Sequence, residues 1–407
     1  MNCRHCSSEL TYTFLDLGFA PPSNAYLTKE GLTKPEKYYP LKVMVCDQCW
    51  LVQTEDYALA DELFVSEYAY FSSTSKGWLE HSKRYAELTI QDLHLNEKSF
   101  VIEVASNDGY LLKNFVEKKI PCLGIEPTAS TAQVAIELGI PVLQEFFGEQ
   151  LGERLSKEGR LADLIIGNNV FAHVPDINDF TRGLKAALKA DGEITLEFPH
   201  LMRLIEFNQF DTIYHEHFSY LSLYTVQKIF KTAALRIWNV EELCTHGGSL
   251  RIYGCHDHSS RKSLPIVDKI LAQELERGMQ NLDIYLTFQS QADKIKNDLI
   301  EFLLMQKKLG KKIAAYGAAA KGNTLLNYAG IKPDLLPFVC DAAKAKQGKF
   351  MPGSHIPILP PSALKRDDLN YILILPWNIA PEVIEQNKGL LDYGTKFVTV
   401  VPDLKII

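Results

Sequence analysis

Hydrophobic positions between residues 80 and 257 switch between the short apolar runs of strands and the spacing of about 3.6 residues that is typical of amphipathic helices. This pattern indicates alternating strands and helices. Short apolar runs mark the strands, and amphipathic stretches lie between most of them. The strands are predicted at residues 100–104, 122–126, 141–143, 162–167, 193–198, 235–241 and 249–255. Such alternation predicts a doubly wound, Rossmann-like α/β sheet. The last two strands are joined by Thr-His-Gly-Gly without a helix, which indicates an antiparallel hairpin at the edge.

One strand of this sheet, in the stretch VIEVASNDGYLL at residues 101–112, runs into a turn and then into a helical pattern. Backbone N–H groups at such a helix start face a bound nucleotide. The next strand ends at Glu126, where a carboxylate can accept hydrogen bonds from both ribose hydroxyls. We predict a nucleotide-cofactor site, although any α/β protein can show strand, turn and helix. Its candidate residues are Glu103, Ser106, Asn107, Asp108, Gly109 and Glu126.

Four of the eight cysteines form two Cys-x-x-Cys pairs, Cys3 with Cys6 and Cys46 with Cys49. Each pair can deliver two thiolates from one tight turn, and two pairs complete a tetrahedral zinc site with no open position. Two disulfides or chance pairing are the alternatives, and a cytoplasmic setting disfavours disulfides. We therefore predict a structural zinc ion. The spacer of 39 residues between the pairs contains LDLGFAPPSNAYL, which is predicted to be loop.

The remainder of the chain divides into a helical stretch and a second α/β pattern. Residues 258–310 contain long amphipathic segments and are predicted to form a helical connector. Strand and helix patterns alternate again over residues 311–407, which predicts a smaller Rossmann-like α/β domain. Its first strand leads into a loop that carries Gly317, Lys321 and Asn323. This loop could hold a phosphate, or it could be an ordinary turn with an exposed lysine.

Length and composition indicate a globular protein with several domains. The chain has 407 residues, of which 46% are hydrophobic and 23% charged, and this suffices for more than one core. We predict domains at residues 1–70, 71–257, 258–310 and 311–407. A net charge of -7 disfavours nucleic acid and anionic membranes as partners. No apolar run approaches the roughly 18 residues of a membrane span, and no signal peptide is visible, so we expect a cytoplasmic protein.

Residues 214–217 place a phenol, two imidazoles and a carboxylate at four consecutive positions. If the stretch begins a helix, Tyr214 and His217 share one face. An imidazole titrates near neutral pH without a shift of its pKa, and a phenol can donate to a carbonyl that becomes an enolate, so the two form a candidate acid/base pair. A metal site at His215 and His217 is an alternative, but no third ligand has the required spacing. A packed histidine with satisfied hydrogen bonds is another.

Loops at the carboxyl ends of the strands are expected to line the ligand cleft. Residues 167–176 form one such loop, and it contributes Asn168 as a candidate cofactor contact and His173 as a candidate proton-transfer group. A second loop, residues 197–200, ends at His200. These polar side chains are predicted to face the ligands.

A further segment, residues 61–81, concentrates aromatic and hydroxyl side chains before an amphipathic helix. We predict that it caps the cofactor cleft, with Tyr70 and Ser73 as candidate cofactor contacts. Aromatic packing between the N-terminal module and the next domain would explain the same composition.

Ten motifs follow one another along the chain in an order known from one protein family. They are CRHC with CDQCWLVQ, YAYFSSTS, EVASNDGYLL, GIEPT, NNVFAHVPD, EFPH, YHEHFSYLS, HGGSLR, YGAAAKGNTLLN and PGSHIPIL. In these motifs the whole chain resembles the sugar C-methyltransferases of deoxysugar pathways, which act on nucleotide-linked keto sugars. The resemblance implies an N-terminal zinc module, a central domain that binds S-adenosylmethionine (SAM) and a C-terminal α/β domain. A departure is Ala105, where the family usually has glycine.

The resemblance also implies a reaction, the methylation of carbon 3 of a nucleotide-diphosphate-linked 4-keto-deoxysugar. His217 would remove the proton beside the keto group, and Tyr214 would support the enolate oxygen, whose carbanion takes the methyl group of SAM. Glu216 would orient the imidazole or bind the sugar, and His173 would be a second proton-transfer group.

The substrate is expected to lie between the central and C-terminal domains. The candidate substrate contacts are Gly317, Lys321, Asn323 and His200. An O- or N-methyltransferase on the same scaffold is the alternative function. A non-enzymatic zinc protein with degenerate Rossmann domains is a third, and Glu126 and His217 argue against it.

Overall fold

The computed structural model describes residues 1–55, 71–74, 76–365 and 368–407. The candidate cofactor contact Tyr70 and most of the predicted cap lie outside the described residues. Within the described ranges, no helix has the length and apolar character needed to cross a membrane.

The N-terminal module is built on a four-stranded antiparallel sheet in the order β1-β2-β3-β9. Its strands are β1 (Tyr12–Ala20), β2 (Tyr39–Val45), β3 (Val52–Thr54) and β9 (Ser219–Tyr220). The first part of the spacer predicted as loop is thus strand, because Leu15 and Leu17 alternate into the core. Strand β9 comes from the middle of the chain and pairs with β3, with Val52 opposite Tyr220. Backbone hydrogen bonds therefore join the N-terminal module to the central domain.

The central domain contains a seven-stranded sheet in the order β10-β11-β8-β7-β4-β5-β6. The strands are β4 (Val101–Val104), β5 (Cys122–Ile125), β6 (Val142–Leu143), β7 (Ala162–Asn168), β8 (Leu188–Pro199), β10 (Leu235–Leu243) and β11 (Ser249–His256). Neighbours are parallel except β11, which is antiparallel to β8 and β10. The predicted doubly wound sheet with its antiparallel hairpin is confirmed. The strand order reverses between β4 and β7, which places the ligand cleft at their carboxyl ends.

Helices cover both faces of this sheet. They are α1 (Lys76–Asp92), α2 (Lys113–Glu117), α3 (Ala129–Glu137), α4 (Glu149–Lys157), α5 (Ile177–Ala187), α6 (Leu201–Glu206) and α7 (Leu223–Thr232). Successive residues of β4 enter different cores, since Val101 packs with the buried Tyr85 of α1 whereas Ile102 packs with Phe180 of α5. This alternation explains why β4 is apolar on both faces.

The stretch predicted to be a helical connector contains α8 (Pro265–Glu276), α9 (Leu282–Leu286) and α10 (Phe288–Lys308). Its helices serve two cores. Val267 of α8 packs into the core of the central sheet, whereas Tyr285 of α9 and Phe288 of α10 share a core with Phe14 of β1. The rings of Phe14 and Phe288 are stacked, with 4.7 Å between centroids.

The C-terminal domain has a six-stranded sheet in the order β14-β13-β12-β15-β16-β17. Its strands are β12 (Ile313–Tyr316), β13 (Val339–Cys340), β14 (Ile358–Leu359), β15 (Tyr371–Ile374), β16 (Lys396–Thr399) and β17 (Lys405–Ile406), and its helices are α11 (Ala320–Tyr328) and α12 (Ala380–Gln386). All pairs are parallel except β16 with β17. The second Rossmann-like unit is therefore confirmed.

Candidate active site

The loop after β4 contains three residues with left-handed backbone conformation, namely Ala105 (φ 55°), Asn107 (φ 50°) and Gly109 (φ 77°). Glycine adopts this region freely and asparagine tolerates it, whereas alanine incurs a steric cost of about 1–2 kcal/mol. A Cβ atom at Gly109 would also collide with the side chain of Ile140. The loop thus keeps the backbone form of a glycine-rich loop although Ala105 replaces one glycine.

Glu126 follows β5 and holds this loop in place. Its buried carboxylate accepts hydrogen bonds from the backbone N–H groups of Asn107 (2.9 Å) and Thr128 (2.9 Å). Each carboxylate oxygen has two lone pairs, so both oxygens keep capacity for a ribose hydroxyl. The predicted ribose contact therefore has a second role in shaping the loop.

Several buried polar atoms around the loop have no hydrogen-bond partner among the described residues. They are Oγ of Ser106, Oδ1 of Asp108 and both amide atoms of Asn168. Buried polar groups are nearly always paired, so such a cluster indicates a site built for a ligand. Burial, together with Asp108 and Glu126, raises the pKa of Glu103 well above its ordinary value. Three clustered acids favour a cation, and these residues fit SAM, whose sulfonium group is positively charged.

The described end of the predicted cap contacts the same loop. The backbone N–H of Ser72 donates to Oδ1 of Asn107 (3.0 Å), and that of Ser73 donates to Oδ2 of Asp108 (3.1 Å). Ser73 itself is exposed, so the structure shows its contact with the loop through the backbone.

The four paired cysteines converge, and their Sγ atoms all lie within 4.8 Å of one another. The Sγ atoms of Cys3 and Cys49 are 3.5 Å apart, as are those of Cys6 and Cys46. Tetrahedral zinc with Zn–S bonds of about 2.3 Å requires sulfur atoms about 3.8 Å apart, so the donor set fits a structural zinc ion. Nε2 of Gln53 donates to Sγ of Cys3 (3.2 Å), as outer partners of zinc thiolates commonly do.

The stretch expected to begin a helix at residue 214 is a turn. The N–H of His217 donates to the carbonyl of Tyr214 (2.9 Å), and β9 begins at Ser219. A helix cannot form here because the chain must extend at once to pair with β3. The turn still brings the predicted pair together, since the ring centroids of Tyr214 and His217 are 4.0 Å apart with 34° between the planes.

Backbone carbonyls set the protonation of two imidazoles. Nδ1 of His217 lies 3.0 Å from the carbonyl oxygen of Thr212, and Nδ1 of His173 lies 2.8 Å from that of Glu216. A carbonyl oxygen can only accept, so Nδ1 carries the proton in both rings. Nε2 is therefore the basic atom of each neutral imidazole.

The pKa values of these imidazoles are depressed. Burial is the main cause that lowers the pKa of His217 well below its ordinary value. The neighbouring His173 also lowers it, and so do His246 and Lys321. Burial lowers the pKa of His173 to about 4. The expectation of an unshifted histidine is thus wrong, and His217 is neutral at physiological pH.

The carboxylate of Glu216 is held by the N-terminal module. Its two oxygens accept hydrogen bonds from Nδ2 of Asn24 at 2.8 and 3.0 Å. The carbonyl of Thr212 holds Nδ1 of His217. Both expected roles of Glu216, orienting the imidazole or binding the sugar, stay predictions.

Lys321 lies at the face of the C-terminal domain that meets the central domain. Its Nζ donates to Oδ1 of Asn378 (2.8 Å) and lies 4.7 Å from the ring centroid of Trp377. The indole N–H of Trp377 donates to Oδ2 of Asp211 (2.8 Å), a buried residue of the central domain that lies five residues after the end of α6. The charge of Lys321 contributes to lowering the pKa of His217.

The other candidate substrate contacts have partners within the protein. Nδ2 of Asn323 donates to the carbonyl of Ser23 (2.6 Å). Gly317 has φ 92°, which a residue with a side chain rarely adopts. His200 is 1% exposed, and its Nε2 donates to Oε1 of Glu274 (2.7 Å) in α8. His200 is therefore held by Glu274 through Nε2 only, its Nδ1 has no hydrogen-bond partner among the described residues, and its contact with the substrate stays a prediction.

His246 lies beside the candidate site and is not among the residues that the sequence predicts for it. It lies in the turn between β10 and β11 with left-handed backbone (φ 53°, ψ 20°). Nδ2 of Asn169 lies 3.2 Å from its Nε2, and its ring centroid lies 5.3 Å from that of Trp78. Burial is the main cause that lowers the pKa of His246 to about 4, and the charge of Lys321 is the second. The Thr-His-Gly-Gly motif was interpreted only as a hairpin, although a histidine in such a turn also marks a possible site.

Solved structures with a similar fold include the PH0226 protein from Pyrococcus horikoshii OT3, which is 13% identical with a TM-score of 0.38 and covers 46% of this chain and 95% of that chain. Another is magnesium protoporphyrin IX methyltransferase from Synechocystis PCC 6803 with bound SAM. It is 12% identical with a TM-score of 0.34 and covers 44% of this chain and 80% of that chain.

Family models cover most of the chain in succession. The "Putative zinc binding domain" matches residues 3–64, the "Methyltransferase domain" residues 78–240 and the "C-methyltransferase C-terminal domain" residues 244–402. C-methyltransferase NovU from Streptomyces niveus is 32% identical over 405 residues, which are 100% of this chain and 96% of that protein. Together with the four-cysteine cluster, these matches identify a SAM-dependent methyltransferase with a zinc-binding domain. The chain belongs to the C-methyltransferase family that includes NovU.

Proposed function

We propose that the chain methylates carbon 3 of a nucleotide-diphosphate-linked 4-keto-deoxysugar, with His217 as the base. The observation that carries the proposal is that the imidazole of His217 lies against both the ring of Tyr214 and the imidazole of His173. His173 follows the same strand, β7, that ends at the candidate cofactor contact Asn168. A sugar carbon becomes nucleophilic only when a proton beside a carbonyl is removed, so C-methylation requires a base and support for an enolate.

In this proposal, Nε2 of His217 takes the proton from the carbon beside the ketone. The Thr212 carbonyl holds Nδ1–H and faces the positive charge that forms on the ring. The phenol of Tyr214 donates a hydrogen bond to the ketone oxygen and stabilises the enolate. His173 is the second proton-transfer group, and SAM supplies the electrophilic methyl group when bound.

The depressed pKa of His217 supports a base that works on an anionic substrate. Before binding, burial and nearby basic groups keep the imidazole free of a second proton. A diphosphate near Lys321 and an enolate beside the ring would both raise the pKa of His217. The base therefore becomes stronger when the substrate is present and charge develops on its oxygen. The loop with Gly317 and Lys321 is the proposed diphosphate contact.

The test is to incubate the protein with SAM labelled with ¹³C in the methyl group and a panel of thymidine, guanosine and cytidine diphosphate 4-keto sugars. Mass spectrometry identifies the methylated product, and carbon-coupled NMR locates the label. The expected result is a carbon-carbon bond at carbon 3 for at least one substrate. A 4-hydroxy sugar of the same nucleotide is the control and should not react. A methyl group on oxygen or nitrogen would overturn the proposal in favour of an O- or N-methyltransferase.

A further inference from the structure

The backbone beside His217 is held by the N-terminal sheet. Strand β9 pairs with β3, and the N–H of Thr54 donates to the carbonyl of Phe218 (3.2 Å). Oγ1 of Thr54 also donates to the carbonyl of His217 (3.4 Å). Strand β3 begins three residues after Cys49, so one zinc ligand is close in sequence to the strand that supports the proposed base.

Arg4 lies between Cys3 and Cys6 and extends from this cysteine cluster toward both proposed proton-transfer groups. Its backbone N–H donates to Oε1 of Gln53 (2.9 Å), which fixes the start of the side chain. Its guanidinium then donates to two backbone carbonyls. Nη2 donates to the carbonyl of Thr54 (2.9 Å), and Nη1 donates to the carbonyl of Pro175 (2.8 Å).

One acceptor, Pro175, belongs to the segment that carries His173, and the other, Thr54, lies in β3, which is hydrogen-bonded to the segment that carries His217. Thr54 contacts the backbone of His217, and Pro175 is two residues after His173. The Cζ atom of Arg4 also lies 5.4 Å from the ring centroid of Phe218, the residue after His217. One side chain therefore bridges two segments that are distant from it in the sequence.

We propose that Arg4 is a positioning residue that sets the spacing between His173 and His217. This inference rests on the proposed function, because it treats the two imidazoles as proton-transfer groups. A guanidinium is a rigid planar fork, so the separation of its two acceptors is defined, whereas a lysine ammonium on a flexible stem does not define it. A shift of about 1 Å in a reacting group can reduce the rate about 10²-fold. The cysteine cluster thus contributes to catalysis by anchoring Arg4.

Two substitutions of Arg4 and one control separate this role from general stability. Arg4→Met keeps an apolar stem over Phe218 but removes the donors, and Arg4→Lys keeps the charge but not the fork. The control is His5→Ala in the same turn. Nδ1 of His5 lies 2.8 Å from Oδ1 of Asn178, so the control also loses a contact between the module and the central domain.

The measurements are zinc content, KM for SAM, kcat and NMR spectra of ¹⁵N-labelled imidazoles. We expect all three variants to retain zinc and the parental KM for SAM. Both Arg4 variants should lose kcat about 10-fold to 100-fold and show shifted imidazole signals of His173 and His217, whereas His5→Ala should match the parent. If Arg4→Met does not fold, the spectra of Arg4→Lys decide the same question.

Parental kcat and unshifted imidazole signals in the Arg4 variants would overturn the inference. Equal losses in His5→Ala would also overturn it, because they would show a general effect of the interface. If the parent methylates no keto sugar, the proposed function fails, but the imidazole spectra still test whether Arg4 positions the two rings.

Discussion

The imidazole rings of His173 and His217 lie 4.6 Å apart between centroids, with 69° between their planes. The carbonyl that accepts from His173 belongs to Glu216, the residue before His217. The turn that carries one imidazole therefore also fixes the tautomer of the other. Two buried imidazoles this close cannot both be charged without strong repulsion, so the pair holds at most one extra proton.

The first prediction concerns the pH dependence of kcat/KM. Burial lowers the pKa of His173 to about 4 and lowers that of His217 in the same direction. The neutral pair therefore persists as the pH falls through the ordinary histidine pKa of about 6.5, and kcat/KM should stay flat there. A pH profile of the parent checks this. An acid limb centred at about pH 6.5 would contradict the prediction.

The same depressed pKa values predict how stability depends on pH. Below about pH 6.5, His173 binds a proton in the unfolded chain but not in the folded protein. The contribution of His173 to the free energy of unfolding is therefore complete above about pH 6.5 and declines as the pH falls toward 4. The slope is at most about 1.4 kcal/mol per pH unit for each histidine. Denaturant unfolding of the parent and of His173→Asn between about pH 5 and 7 measures it. Parallel pH dependence in both proteins would be the contrary result.

The third prediction concerns zinc. Cys46→Ser removes one of four converging thiolates, so the variant should lose its metal and the N-terminal module should unfold more easily. Structural zinc contributes on the order of 10 kcal/mol to such modules. Metal analysis and thermal unfolding check this, with Cys244→Ser as the control because Cys244 is exposed and outside the cluster. A parent without zinc, or identical melting of parent and Cys46→Ser, would refute the site.

The fourth prediction concerns SAM binding. Glu126→Gln removes a charged acceptor that also holds the backbone of Asn107 and Thr128, so SAM should bind less tightly by about 1–3 kcal/mol. Glu137→Gln on the exposed surface of α3 is the matched control and should bind normally. Calorimetry with SAM compares the two. Equal affinities in both variants would exclude Glu126 as a cofactor contact.

Local features were predictable from the sequence. The strands β4 and β5 follow from short apolar runs, and the cysteine pairs follow from their spacing, because neighbours in sequence determine both. The position of Glu126 beside the loop after β4 was also predictable, because the carboxyl ends of neighbouring parallel strands lie at the same edge of the sheet.

Features that depend on distant partners were not predictable. The turn at residues 214–217 cannot be distinguished from a helix start by sequence, because nothing in that stretch reveals that β9 pairs with β3. The partner of His200, Glu274, lies 74 residues further along the chain, so its burial could not be inferred from the motif. The low pKa of His217 likewise results from burial and from Lys321 in another domain.

The fifth prediction, that His217 is the base, is tested most directly by solvent deuterium exchange at carbon 3 of a nucleotide 4-keto sugar. The exchange is followed by NMR with S-adenosylhomocysteine in place of SAM, so that proton removal is observed without methyl transfer. The parent should catalyse exchange. His217→Asn should slow exchange and methyl transfer by about 10²-fold to 10⁴-fold while its SAM affinity stays parental. Exchange at the parental rate in His217→Asn would contradict the assignment of the base.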